Sequence, residues 1–98
     1  MYTIKRTDEF KDWLFGRKDG MTHRRLARQL DRAQDGNLGD VKPVGESVFE
    51  MREFFGPGWR MYYVQRGDVL IVMLGGRDKS TQSADIAKAI KLASTLEE

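Results

Sequence analysis

The sequence predicts an α+β fold, a twisted antiparallel sheet with helices before and after it, in the order β-α-α-β-β-β-α. Three observations carry this. Phe49 to Gln82 contains strand-like runs joined by two tight turns, Gly56-Pro57-Gly58 and Arg66-Gly67-Asp68, where proline presets φ and glycine permits φ > 0. Val69 to Leu74 is apolar without interruption, the pattern of a strand buried on both faces. Two segments before this meander and one after it repeat apolar residues at helical spacing. At 98 residues the chain is read as one domain, 1–98, with a single modest core.

Tyr2 to Lys5 alternates and reads as a first strand. Thr7 or Asp8 caps a helix whose Phe10, Trp13 and Leu14 fall at i, i+3 and i+4, which makes Trp13 a core residue. Gly16 and Asp19-Gly20 end it. A second helix runs from about Met21 to Gln34, with Leu26, Ala27, Leu30 and Ala33 on one face. Arg24, Arg25, Arg28 and Arg32 occupy the other, either as a solvated, salt-bridged surface or as a cationic ridge for RNA phosphates. After Gly36, Asn37 and Gly39, residues 40–44 are extended, and Pro43 restricts them to a sheet edge if they pair. Gly45-Glu46 turns into the meander. Ser80 or Thr81 caps a last helix with Ile86, Ala89, Ile90 and Ala93 on one face.

Hydrophobic residues make up 40% of the chain and charged residues 33%, an ordinary balance for a soluble domain. No apolar run reaches membrane-spanning length, and the first ten residues lack the apolar core of a signal peptide, so the expected location is the cytoplasm. There is no cysteine and only one histidine, His23, so neither a disulfide nor a metal site is expected, and no motif calls for a cofactor. Net charge is +2 and the pI near 9.0. The positives are clustered, which favours a polyanionic or acidic partner without choosing among them.

The meander carries cations inside strands. If Met51, Met61 and Tyr63 face the helices, alternation turns Glu50, Arg52, Arg60 and Tyr62 to the opposite side, expected to be uncovered. Such a face is either a solvated set of ion pairs or an anion site. Arg77 and Lys79 add cations where Gly75-Gly76-Arg77-Asp78-Lys79-Ser80 is expected to break the strand before the helix. The glycine-lysine-serine/threonine spacing of a P-loop is missing.

These residues resemble a known group. Glu50-Met51-Arg52, then Gly56-Pro57-Gly58-Trp59-Arg60-Met61-Tyr62-Tyr63, then Leu74-Gly75-Gly76 followed by Lys79-Ser80-Thr81-Gln82 look like the addiction-module killer (HigB-like) branch of the RelE/ParE/HigB toxin superfamily. The resemblance covers nearly the whole chain. It implies a RelE-like sheet with two N-terminal helices packed on one face and a C-terminal helix. It implies a type II toxin that cleaves mRNA on the ribosome, without metal or cofactor. The implied partner is a helix-turn-helix, HigA-like antitoxin, held in a toxin–antitoxin hetero-oligomer.

The family's motifs place the catalytic role on Arg60, Arg52 and Lys79, with Arg77 beside them. Cleavage of this kind uses the ribose 2′-OH against the adjacent phosphate, and fixed cations stabilise the charge gathering on the phosphorane oxygens. Arg60 is assigned to the scissile phosphate and Arg52 to charge stabilisation or positioning. Lys79 and Arg77 take the leaving side or a flanking phosphate. Glu50 acts as general base or orients Arg60, and Tyr62 stacks on a base or donates to a phosphate. Arg24 and Arg28 are candidate contacts to the RNA backbone. The chain departs from some members in having no histidine in this set and no tyrosine in the last helix, which removes a general acid or base of near-neutral pKa. Two alternatives stand beside this reading: a ParE-like toxin that inhibits DNA gyrase, and a module that binds its antitoxin without toxicity.

Overall fold

The computed structural model describes residues 1–78 and 82–96. Strand β1 (Thr3–Arg6) leads into helices α1 (Asp8–Phe15) and α2 (Gly20–Gln34). Four strands follow, β2 (Asp40–Gly45), β3 (Val48–Glu53), β4 (Trp59–Arg66) and β5 (Leu70–Asp78), and then helix α3 (Gln82–Ser94). Thr7 starts α1. Its hydroxyl accepts from the Phe10 N–H at 3.1 Å and donates to the Met73 carbonyl at 2.8 Å, so one side chain caps the helix and ties it to the sheet. Asp19 caps α2, and bonds from the Thr22 hydroxyl and the Met21 N–H hold its carboxyl below the usual range.

The sheet has five strands in the order β1-β5-β4-β3-β2. The antiparallel meander β3-β4-β5 forms as expected, turning at Gly56 and Gly58 and again at Gly67, all at positive φ. The sheet as a whole is mixed, because β1 pairs with β5 in parallel. That pairing needs the long crossover that the intervening helices and strands supply. Residues 40–45 do pair, as the edge strand β2, and Pro43 sits opposite Phe49 where an edge tolerates a missing N–H. A further correction concerns the glycines. Strand β5 continues through Gly75, Gly76 and Arg77 to Asp78, so these residues belong to the ladder and not to a turn.

Both faces of the sheet are covered. On one, Phe10 and Leu14 of α1 and Leu26, Leu30 and Ala33 of α2 pack on Met51, Met61, Tyr63, Ile71 and Met73. On the other, Ala89 and Ala93 of α3 pack on Val48, Tyr62, Val64, Val72 and Leu74. The face expected to be bare is therefore roofed over much of its area by α3, and Glu50 and Tyr62 are buried beneath. Trp13 packs at the edge of the first cluster, as its spacing predicted. No described helix is long and apolar enough to cross a membrane.

Candidate functional site

Directly paired residues on neighbouring strands point to the same side of a sheet. Arg52 pairs with Arg60, and Arg60 with Arg77, so three arginines form a row across β3, β4 and β5 on the α3 side. A bulge in β5 makes this possible. Tyr63 pairs with Met73 and Tyr62 with Gly75, leaving Leu74 as the extra residue. With regular pairing Arg60 would face Gly76, and Arg77 would point to the α1/α2 side. The inserted residue reverses the alternation beyond it, bringing Arg77 into the row and turning Gly76 against Trp13.

Cations directly opposite one another repel, and this row is held together by acids. Asp40 of β2, the cross-strand partner of Arg52, accepts from its Nη2 at 3.2 and 3.1 Å. Glu50 lies 3.3 Å from Nε of Arg60, and Asp85 of α3 lies 3.2 Å from Nε of Arg77. Exposure rises outward from the centre. The Arg60 side chain is 12% exposed and Glu50 0%, against 29% for Arg52 and 46% for Arg77. Of the four cations expected to converge, Arg52, Arg60 and Arg77 share this row, and each stands beside a carboxylate.

Glu50 has no surface from which to reach a substrate, and its place beneath Arg60 suits orientation of the guanidinium. Tyr62, expected to be available for stacking, is 1% exposed. Its hydroxyl is buried beside the Glu50 carboxylate without a well-directed hydrogen bond, and Nη1 of Arg60 is likewise buried without one among the described residues. Arg24 and Arg28 are exposed on α2, on the far side of the sheet from the row, and do not join it. Lys79 lies outside the described residues. Among the described residues no cluster of histidine, cysteine, aspartate and glutamate is placed to hold a metal ion.

A groove of about 340 Å³ that the residue pattern did not predict lies between β5 and α3. Tyr62, Gly75 and Arg77 lie along the sheet side, Asp85 and Leu92 along the helix, and Trp13 at the α1 end. Its signal was available in part: an uninterrupted apolar strand followed by an apolar helix stripe requires α3 to lie on this face, with the glycine pair beside it.

The chain is 40% identical over 93 residues to an uncharacterized protein of Haemophilus influenzae, spanning 95% of this chain and 94% of that one. It belongs to one family with that protein. No family model matches the chain, and no solved structure matches it. A match covering almost all of both members relates the whole domain and not a single motif.

What the row offers chemically is positive charge, partly neutralised by three carboxylates, and not a base; a guanidinium holds its proton at neutral pH. Tyr62 cannot serve as one either, since burial and then the Glu50 and Asp85 carboxylates push its phenol above the usual range. Burial, followed by Tyr2, pushes Tyr63 from 10.0 to about 12. A phenol whose folded pKa is raised contributes stability that is complete below its unfolded pKa and is lost as pH climbs through the folded one. The melting temperature is therefore expected to hold up to about pH 10 and fall steeply towards pH 12, as phenolate absorbance rises with unfolding. Ionisation of Tyr62 and Tyr63 near pH 10 in an intact fold would contradict this.

Proposed function

We propose that the chain is a toxin of the RelE/ParE/HigB superfamily that grips mRNA on the ribosome and cleaves it, and that a helix-turn-helix antitoxin silences it. The observation that carries this reading is the cross-strand row Arg52–Arg60–Arg77, together with the motif residues that resemble the family. Adjacent strands stand about 4.8 Å apart, so the row starts three arginine side chains from backbone positions within roughly 10 Å of one another. That spacing suits one phosphodiester linkage and its neighbour. Arg60, anchored by Glu50, presents a fixed cation to the scissile phosphate, while Arg52 and Arg77 take the flanking charge. Proton transfer falls to the ribosome or the RNA.

Mapping mRNA ends after induction tests the proposal. Cuts inside translated regions are expected; intact mRNA with DNA damage would indicate the gyrase-inhibiting alternative. The carboxylate beside each arginine favours a second reading, a module that binds its antitoxin and is harmless on overexpression. Asp85→Asn separates the two. A half-exposed pair contributes at most about 1 kcal/mol, so releasing Arg77 is expected to raise affinity for single-stranded RNA about two- to five-fold in a filter-binding titration. Unchanged or weaker binding would mean that Arg77 does not meet phosphate.

A further inference from the structure

We infer that the groove between β5 and α3 seats one unpaired nucleobase of the strand whose phosphate rests on Arg77. The inference builds on the RNA reading above and adds a site to it.

Position comes first. Arg77 ends the arginine row and also forms a lip of the groove. The next pair on the same face is Tyr62–Gly75, at the floor, two residues or about 7 Å along the strands. A phosphate on the arginine rung thus leaves its nucleoside the right distance to drop onto the floor. The volume, about 340 Å³, lies at the small end of ligand sites and suits one heterocycle with part of its sugar.

The lining has the mixed character that a base requires. Trp13 supplies an aromatic wall, and Leu74 and Leu92 supply aliphatic ones. Tyr62 forms part of the floor, and its buried hydroxyl, packed beside the Glu50 carboxylate, makes no well-directed hydrogen bond. An apolar side chain from a protein partner would leave that hydroxyl buried without a good bond, whereas a base brings ring nitrogens and carbonyls to it. A small anion alone would engage Arg77 and leave the apolar walls unused. Lys88 and Lys91 on α3 stand ready for the next phosphate. A Cβ at position 75 would meet nothing within 4 Å, so glycine keeps this volume clear.

The test titrates the four 5′-mononucleotides, ribose 5-phosphate and inorganic phosphate against ¹⁵N-labelled full-length protein. At least one mononucleotide is expected to bind ten-fold or more tightly than ribose 5-phosphate, with shifts at Gly75, Gly76 and Leu92. Gly75→Val fills the groove and leaves the arginine row in place. It is expected to erase the nucleotide's advantage while ribose 5-phosphate binds as before, and its dispersed amide spectrum reports that it folds. Tyr62→Phe keeps the ring and removes the hydroxyl, and is expected to lower nucleotide affinity three- to ten-fold without altering phosphate binding. Nucleotides binding no better than ribose 5-phosphate, or an advantage that survives Gly75→Val, would overturn the inference. Shifts at the groove on adding a protein partner alone, with no nucleotide effect, would also overturn it. The RNA reading fails on a different result: wild-type protein with no salt-dependent affinity for single-stranded RNA.

Discussion

Arg60→Ala is expected to abolish growth arrest and to destabilise the fold at the same time. Removing one fixed contact to a developing oxyanion typically costs about 10²–10³ in rate. The second effect arises because Glu50, with no exposed surface, loses the guanidinium 3.3 Å away. Breaking a buried pair from one side costs about 3–5 kcal/mol. Against a total stability of about 5–15 kcal/mol for a typical domain, that brings the variant close to unfolding, so loss of toxicity by itself would say little. The decisive variant replaces both partners, Glu50→Leu with Arg60→Met. Exchange of a buried pair for apolar residues of similar volume is neutral or stabilising by about 1–4 kcal/mol. Urea denaturation is expected to show the double variant at least as stable as wild type, and growth assays to show it harmless. A stable double variant that still arrests growth would remove Arg60 from the chemistry, and an Arg60→Ala protein as stable as wild type would contradict the structural role of the pair.

Gly76→Ala is expected to cost about 1–3 kcal/mol, the usual range for overpacking a filled site. The added Cβ would stand 2.5–2.6 Å from three carbons of the Trp13 ring, closer than any real contact. Trp13 cannot easily swing aside. Its ring is held by Phe10 at 5.8 Å, by Trp59 at 6.1 Å and by the Arg17 guanidinium at 5.0 Å. For a domain of this size each kcal/mol lowers the melting temperature by about 4–8 °C. Gly75→Ala, one residue away, is the control. Its Cβ enters open space, and a change within about 0.5 kcal/mol is expected. Equal effects at the two positions would show that the bulge does not set Gly76, and Gly76 alone of the pair, against Trp13.

Much of the architecture was open to reading from residue order. Thr7 and Asp19 mark helix starts because a short polar side chain can take up a free N–H, a purely local matter. The turns at residues 56–58 and 66–68 follow from glycine's tolerance of positive φ. The mistaken bare face was avoidable. Ile71 and Met73 enter one core while Val72 and Leu74 enter the other, and an apolar run of that kind already demands cover on both sides.

Local chemistry therefore dictated the helices, the turns, the meander and the parity that sets Arg52 and Arg60 on the side away from Met51 and Met61. Three things came only from the folded chain. The bulge at Leu74 brought Arg77 into the row, the carboxylates of Asp40, Glu50 and Asp85 arrived beside the arginines, and α3 closed one side of the groove. Each depends on register or docking between segments distant along the chain. A one-residue shift in pairing leaves local propensities almost untouched and yet reverses the face on which every later side chain stands.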